Sequence, residues 1–143
     1  MPETENKKPT PNPFLQTIVL ADHVYIDALT QKKVIAGTFS RLRSPQFPAK
    51  LGRNTGAYLV LANCHGELRL QIRYVDLQNE NVLMKSSELV IQTDDPLQTQ
   101  EVVMDVPPFP MPHEGQYIFE VYCNGNQIGG IRVVVEKIKA PEE

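Results

Sequence analysis

The side chains able to do chemistry are few in this chain, and their spacing is poor for it. There are three histidines, His23, His65 and His113, and two cysteines, Cys64 and Cys123. A zinc site wants ligands in pairs such as C-x-x-C or H-x-x-x-H, and neither spacing occurs. Cys64 and His65 are adjacent in what reads as a tight turn, and neighbours on a strand point to opposite sides. Asp22-His23 looks like an acid–base pair, but the same alternation turns the two apart. His23 shares its side of the strand with Val19 and Tyr25 instead. There is no G-x-S-x-G nucleophile elbow and no C-G-[SA]-C motif. Asp76, Asp94 and Asp95 could offer oxygens to calcium, yet the D-x-D spacing of calcium-binding sandwiches is absent. These residues read as solvated loop acids. The sequence therefore points to no catalytic residue, no metal ligand and no cofactor, and the chain reads as a non-enzyme.

Binding surfaces are the next possibility. Carbohydrate platforms are built from aromatic rings, but there is no Trp, and most of the five Tyr and five Phe fall on core parity. Tyr25, Tyr58 and Tyr122 are left over. The basic stretch contains Phe39, Phe47 and Tyr58, as a nucleic-acid surface would, but an overall pI near 5.6 argues against nucleic acid. The net charge of −3 conceals an asymmetry. No acid lies between Asp27 and Glu67, a stretch that carries Lys32, Lys33, Arg41, Arg43, Lys50 and Arg53. From Asp76 to Glu120 the chain is acidic, with Lys85 as the only base. Regions of opposite sign can meet a charged partner or a second copy of the domain.

The elements that would position these residues read as strands. Tyr117, Phe119 and Val121 alternate with polar residues, and Asn124-Gly125 supplies the two positive-φ residues of a type I′ turn. Across that turn Val121 faces Ile128. Keeping Phe119 opposite Ile131 and Tyr117 opposite Val133 then needs one extra residue, which predicts a bulge at Gly129-Gly130. Pro112 to Tyr117 has the form of a tyrosine corner, in which the Tyr hydroxyl bonds back to the preceding connection.

His65-Gly66 suggests a second hairpin. It would pair Leu61 with Leu70, Leu59 with Ile72 and Ala57 with Tyr74 on one apolar face, leaving Cys64 outside. With Cys64 pointing out, a bridge to Cys123 is not expected. Other strands read over Phe14 to Ile26, Val34 to Phe39 with Gly37 inside it, Val82 to Gln92 with a break at Ser86-Ser87, and Glu101 to Val106. Residues 40–56 read as a long irregular loop, and Pro107 to Glu114 as a Pro-rich connector. No apolar i, i+3, i+4, i+7 spacing is sustained, so no long helix is predicted.

Together these make an all-β antiparallel β-sandwich, immunoglobulin-like in plan, with seven to eight strands. A length of 143 residues suits one such domain. Its expected limits are 14–138, between a disordered tail over 1–13 and a short tail over 139–143. No long apolar run could span a membrane, and the polar N-terminus lacks a signal-peptide core, so the expected location is the cytoplasm.

Residues 15–136 resemble a family of small uncharacterised bacterial β-sandwich proteins, a domain of unknown function. The resemblance rests on Ala21-Asp22-His23-Val24-Tyr25-Ile26-Asp27, the turn with Lys33, and Val34-Ile35-Ala36-Gly37-Thr38-Phe39. It rests also on Gly115-x-Tyr117-x-Phe119-x-Val121-Tyr122 leading into Asn124-Gly125. It implies a bacterial cytoplasmic sandwich and carries over no site residue.

The functional expectation is a protein-interaction or assembly module, binding a protein partner or forming a homo-oligomer. Its face would comprise the apolar residues at outward positions: Tyr58, Val60, Ile118, Tyr122 and Val134. The alternative is a small-molecule or anion-binding sandwich using Arg41, Arg43, Lys50 and Arg53 of the 40–56 loop.

Overall fold

The computed structural model describes residues 11–139. It is all β, with twelve strands rather than seven or eight. The additional strands are short pieces inside segments that read as loops. In chain order they are β1 (Phe14–Ile26), β2 (Lys33–Thr38), β3 (Arg41–Ser44), β4 (Ala49–Leu51), β5 (Thr55–Ala62) and β6 (Gly66–Asp76). Then follow β7 (Asn81–Lys85), β8 (Leu89–Thr93), β9 (Gln100–Val106), β10 (Phe109–Met111), β11 (Gly115–Cys123) and β12 (Asn126–Lys137). Among the described residues no helix is long and apolar enough to cross a membrane. The tail expected over 1–13 falls mostly outside the described residues, as do residues 140–143 of the C-terminal one. Pro13, assigned to the first tail, is buried.

Two sheets face each other. The first runs β2-β1-β5-β9 and the second β3-β12-β11-β6-β7, with β8 continuing β7's edge of β6. β1, β5 and β9 thus share one sheet while β6, β11 and β12 share the other. This is the division of A, B and E from C, F and G strands in an immunoglobulin-like sandwich. The 40–56 segment is not a free loop. β3 pairs in parallel with β12, and β4 pairs with β10 of the Pro-rich connector. The expected break at Ser86-Ser87 is present. There the Ser86 hydroxyl accepts from the Ile72 amide at 2.9 Å and donates to the Ser87 carbonyl at 3.0 Å, replacing the lost ladder bonds.

The second hairpin expected from the sequence does not form. β5 pairs with β1 and β9, whereas β6 pairs with β11, β7 and β8. The chain crosses from one sheet to the other through Asn63, Cys64 and His65. The apolar parity was nevertheless right, because Ala57, Leu59, Leu61, Leu70, Ile72 and Tyr74 are all fully buried. Alternation identifies a strand's buried side. It is satisfied equally by a strand alongside and by one facing across the core. Cys64, placed outside by the hairpin register, is instead fully buried in the crossover.

The β11–β12 hairpin forms with Asn124 at φ 51° and Gly125 at φ 84° between Cys123 and Asn126. Phe119 faces Ile131 and Tyr117 faces Val133, as expected. The bulge lies one residue earlier than expected. Tyr122 pairs with Gln127 and Val121 with Gly129, so the unpaired residue is Ile128. The ladder runs through both glycines. Gly130 is required by crowding rather than by its φ, because a Cβ there would lie 2.8 Å from the Phe119 carbonyl oxygen. Gly37 lies in β2 at φ 75° against the Asp22 carboxylate, the close approach its place in a strand suggested.

The tyrosine corner is present. The fully buried Tyr117 donates its hydroxyl to the His113 carbonyl at 2.7 Å and accepts from the His113 amide at 3.3 Å. Cys64 and Cys123 are buried and unbridged, and burial pushes both thiols above their ordinary range.

Two measurements check this interior. Gly130→Val should destabilise the protein by roughly 1–3 kcal/mol in denaturant unfolding, the usual cost of overpacking. An unchanged midpoint would contradict the crowding. Alkylation of denatured protein without reductant should modify two cysteines, while native protein should label slowly because the thiolate is disfavoured. No label, with a mass two protons low, would reveal a bridge.

Candidate functional site

The β1–β2 hairpin ends in a pre-organised turn. The Asp27 carboxylate accepts from the Leu29 amide at 2.8 Å and the Thr30 amide at 3.3 Å. Those bonds hold its carboxyl below the usual range. The Asp27 amide bonds to the Lys32 carbonyl at 2.8 Å, and the Gln31 amide to the Asp27 carbonyl at 2.8 Å. Leu29 sits at the apex, 95% exposed, flanked by Tyr25 at 53%, Ile26 at 54% and Val34 at 47%. Four large apolar side chains thus reach solvent within ten residues of chain, next to Lys32.

This ribbon bends back over the outer side of its own sheet. By register Lys33 lies opposite Ile26, whereas Glu101 shares a row with Val60 and Thr17, nine residues away along β1. Yet Lys33 Nζ is 3.4 Å from Glu101 Oε1. Nine extended residues span about 30 Å, so the ribbon must fold toward β9 for the pair to form. Gly56, opposite Ala21, would bring an added Cβ within 3.0 Å of Val24, which fits the same bend. The ion pair between Arg53 and Asp22, at 2.9 Å, pins the ribbon's base. A crevice of about 140 Å³ remains between ribbon and sheet, bounded by His23, Tyr25, Val103 and Asp105.

That crevice shares Asn54, Val103 and Asp105 with a larger groove of about 410 Å³ at the open edge of the sandwich. Ser87, Glu88 and Leu89 form one side of the groove, and Val103, Met104 and Asp105 the other. Apolar side chains and the carboxylates Glu88 and Asp105 both line it. Neither Glu88 nor Asp105 belongs to an ion pair among the described residues, and the same holds for Lys32.

The residues singled out from sequence are distributed over both sheets. Tyr58 and Val60 lie on the outer side of the first sheet, partly covered, with the Tyr58 hydroxyl on Glu101. Ile118, Tyr122 and Val134 lie on the outer side of the second and are also half-buried. The Arg73 guanidinium covers the Tyr122 ring at 3.8 Å. The structure does not bring the five together. The basic residues of 40–56 are largely neutralised at home. Arg41 and Arg43 both pair with Glu136, and Arg53 with Asp22, leaving Lys50 outside any described ion pair.

No motif or spacing pointed to the Asp76–His113 pair. Asp76 is 1% exposed, and its Oδ2 lies 2.6 Å from His113 Nε2 while Oδ1 accepts from the Gln78 amide at 2.9 Å. His113 Nδ1 faces the Glu114 carbonyl at 2.5 Å. Both ring nitrogens thus face oxygen acceptors, an arrangement that favours the imidazolium. The Glu114 carbonyl and then the Asp76 carboxylate raise its pKa above the ordinary histidine value. With both nitrogens occupied, the ring has no lone pair to act as a base. It serves as a clamp between the β6 end and the connector before β11. His23 stacks on Tyr25 at 5.6 Å, away from Asp22 as strand alternation requires. No group of three or more His, Cys, Asp or Glu converges among the described residues.

The sequence profile of a family of unknown function, DUF6941, matches residues 16–136. The chain belongs to this family. No curated protein matches it in sequence. Among solved structures, this DUF6941 chain is similar to the Pseudomonas fluorescens alkylpurine DNA glycosylase AlkC bound to abasic-site DNA, with a TM-score of 0.42 and 10% identity. That match covers 83% of this chain and 30% of the glycosylase, well under two thirds of its length. It is also similar to the CARDB domain of the Pyrococcus furiosus PF1109 protein in complex with di-metal ions. There the TM-score is 0.38 and the identity 8%, over 90% of this chain and all of that one. At those scores neither carries an argument about what this DUF6941 member does.

Sequence reasoning missed the ribbon tip because Ile26 and Val34 read as ordinary strand residues. It missed Asp76–His113 because 37 residues separate the partners. The clamp has a signed pH dependence. Its stabilisation is fully present below the ordinary histidine value and is lost as pH rises through His113's raised one. Thermal unfolding should show stability falling from mildly acidic to alkaline pH, and His113→Gln should flatten that slope. A slope unchanged by the substitution would refute the imidazolium clamp.

Proposed function

We propose that this chain is a non-catalytic protein-interaction module that presents the β1–β2 ribbon tip to a protein partner. The observation that carries this reading is the exposure of Leu29 at the apex of a braced turn, with Tyr25 and Val34 exposed on one face of the ribbon below it and Ile26 on the other. Single exposed apolar residues are ordinary, but a cluster marks a contact surface. A turn held by the Asp27 carboxylate binds with little ordering cost. Glu101, which pairs with Lys33 of the ribbon, also accepts from the Tyr58 hydroxyl on the outer side of the sheet. The engaged nitrogens of His113 fit a structural rather than a catalytic role. A bacterial cytoplasm is part of the same proposal, and two unbridged buried thiols fit a reducing compartment. Anion binding by residues 40–56 is the weaker reading, since Arg41, Arg43 and Arg53 already have acids.

The test is co-purification from the native host with wild type and Leu29→Asp in parallel. Leu29 is almost wholly exposed, so the variant should fold with an unchanged unfolding midpoint. Wild type should retain a stoichiometric protein, either another chain or a second copy, that the variant loses. Equal retention by both would defeat the role of the tip.

A further inference from the structure

We infer that the ribbon tip of one copy docks into the groove between β8 and β9 of a second copy of this chain. The inference rests on the interaction reading above and names its partner.

Three observations converge on it. The tip and the groove are complementary in character. The tip presents Leu29 at its apex with Lys32 beside it, and Lys32 has no ion-pair partner among the described residues. The groove is lined by the apolar Leu89, Val103 and Met104 and by Glu88 and Asp105, neither of which is in an ion pair among the described residues. Its volume of about 410 Å³ exceeds what one leucine side chain needs, leaving room for the adjoining lysine stem.

The same chemistry is already realised within one chain. Lys33, next to Lys32, reaches Glu101 on the same β9 strand whose other end carries Asp105. The ribbon's bases and β9's acids are therefore compatible partners. None of residues 26–34 lines the groove of its own chain. The groove is therefore open to the tip of a second copy.

The groove also borders an unpaired strand edge. Among the described residues β9 ends the first sheet, pairing only with β5. Its outer backbone groups face the opening, and such edges accept incoming chain unless they are blocked. Here the charges that flank the edge, Glu101 and Asp105, repel acidic chain and admit the basic ribbon. Reciprocal insertion closes a two-fold dimer, while head-to-tail insertion builds a chain of copies. Both bury the same residues.

Sedimentation velocity of the purified full-length protein, from micromolar to millimolar, tests this. Wild type should associate as concentration rises, and more weakly with added salt. Leu29→Asp should raise the dissociation constant about tenfold or more, since one fully buried leucine accounts for that much. Lys32→Glu and Asp105→Lys should each weaken association, and the double variant should recover it, because the charges then meet again with signs exchanged. A monomer at every concentration overturns the inference. So does association that Leu29→Asp leaves unchanged, or a double variant no better than the singles. A monomer whose tip still retains a different host protein overturns the self-docking inference alone and leaves the interaction module standing. Loss of both overturns both.

Discussion

Tyr117 is the residue on which the interior depends. Its ring stacks on Tyr74 at 5.2 Å, and Tyr74 in turn meets Phe109 at 4.6 Å and Phe119 at 4.8 Å. Phe119 and Phe109 close the cluster edge to face at 5.1 Å. This group joins β6 and β11 of the second sheet to β10, the short strand that holds β4. Its geometry requires the Tyr117 hydroxyl to stand at the end of the core, where it satisfies both backbone groups of His113. That bond fixes the connector, which places the His113 ring over Tyr117 and against Asp76. A buried carboxylate is tolerable only when paired and hydrogen-bonded, and this one is both. Packing and polar satisfaction are therefore one arrangement here.

The aromatic cluster has a cost. The Tyr74 hydroxyl is buried without a hydrogen-bond partner, and so is the Thr55 hydroxyl. Burial raises the Tyr74 phenol far above its ordinary value, so it stays neutral. An unsatisfied buried hydroxyl costs about 1–3 kcal/mol, which the contacts of a fully buried ring can offset. The position is kept for the ring.

The surface follows another economy. The basic run from Lys32 to Arg53 folds so that Lys33, Arg41, Arg43 and Arg53 each lie beside an acid distant in sequence. Exposed pairs of this kind add little stability, but they orient β3 beside β12 and the ribbon over its sheet. The basic side of the charge asymmetry is thus mostly paired within the chain. Among the groups outside these ion pairs are Lys32 at the ribbon tip and Glu88 and Asp105 at the groove.

Strand identity was legible because it is local. Phe14 to Ile26, the Asn124-Gly125 turn, the break at Ser86 and the corner at Tyr117 each follow from alternation or turn chemistry within a few residues. Which side of each strand is buried was also legible, as Leu59, Leu61, Leu70 and Ile72 show. Which strand lies beside which was not. β5 and β6 satisfy the same apolar parity facing each other across the core as they would hydrogen-bonded, and only the competing partners β1, β9 and β11 decide. The bulge at Ile128 rather than Gly129 depended on room left by Phe119 and Leu15. The ribbon's fold over its sheet and the meeting of Asp76 with His113 depended on contacts between residues far apart in the chain. The sequence by itself determined the longer strands and their buried sides, because steric and hydrophobic periodicity act on neighbours, but not the short β3, β4 and β10, which form only against distant partners. The tertiary structure alone decided neighbours, burial of Cys64 and the shape of the candidate surfaces, because these are set by competition among all the strands at once.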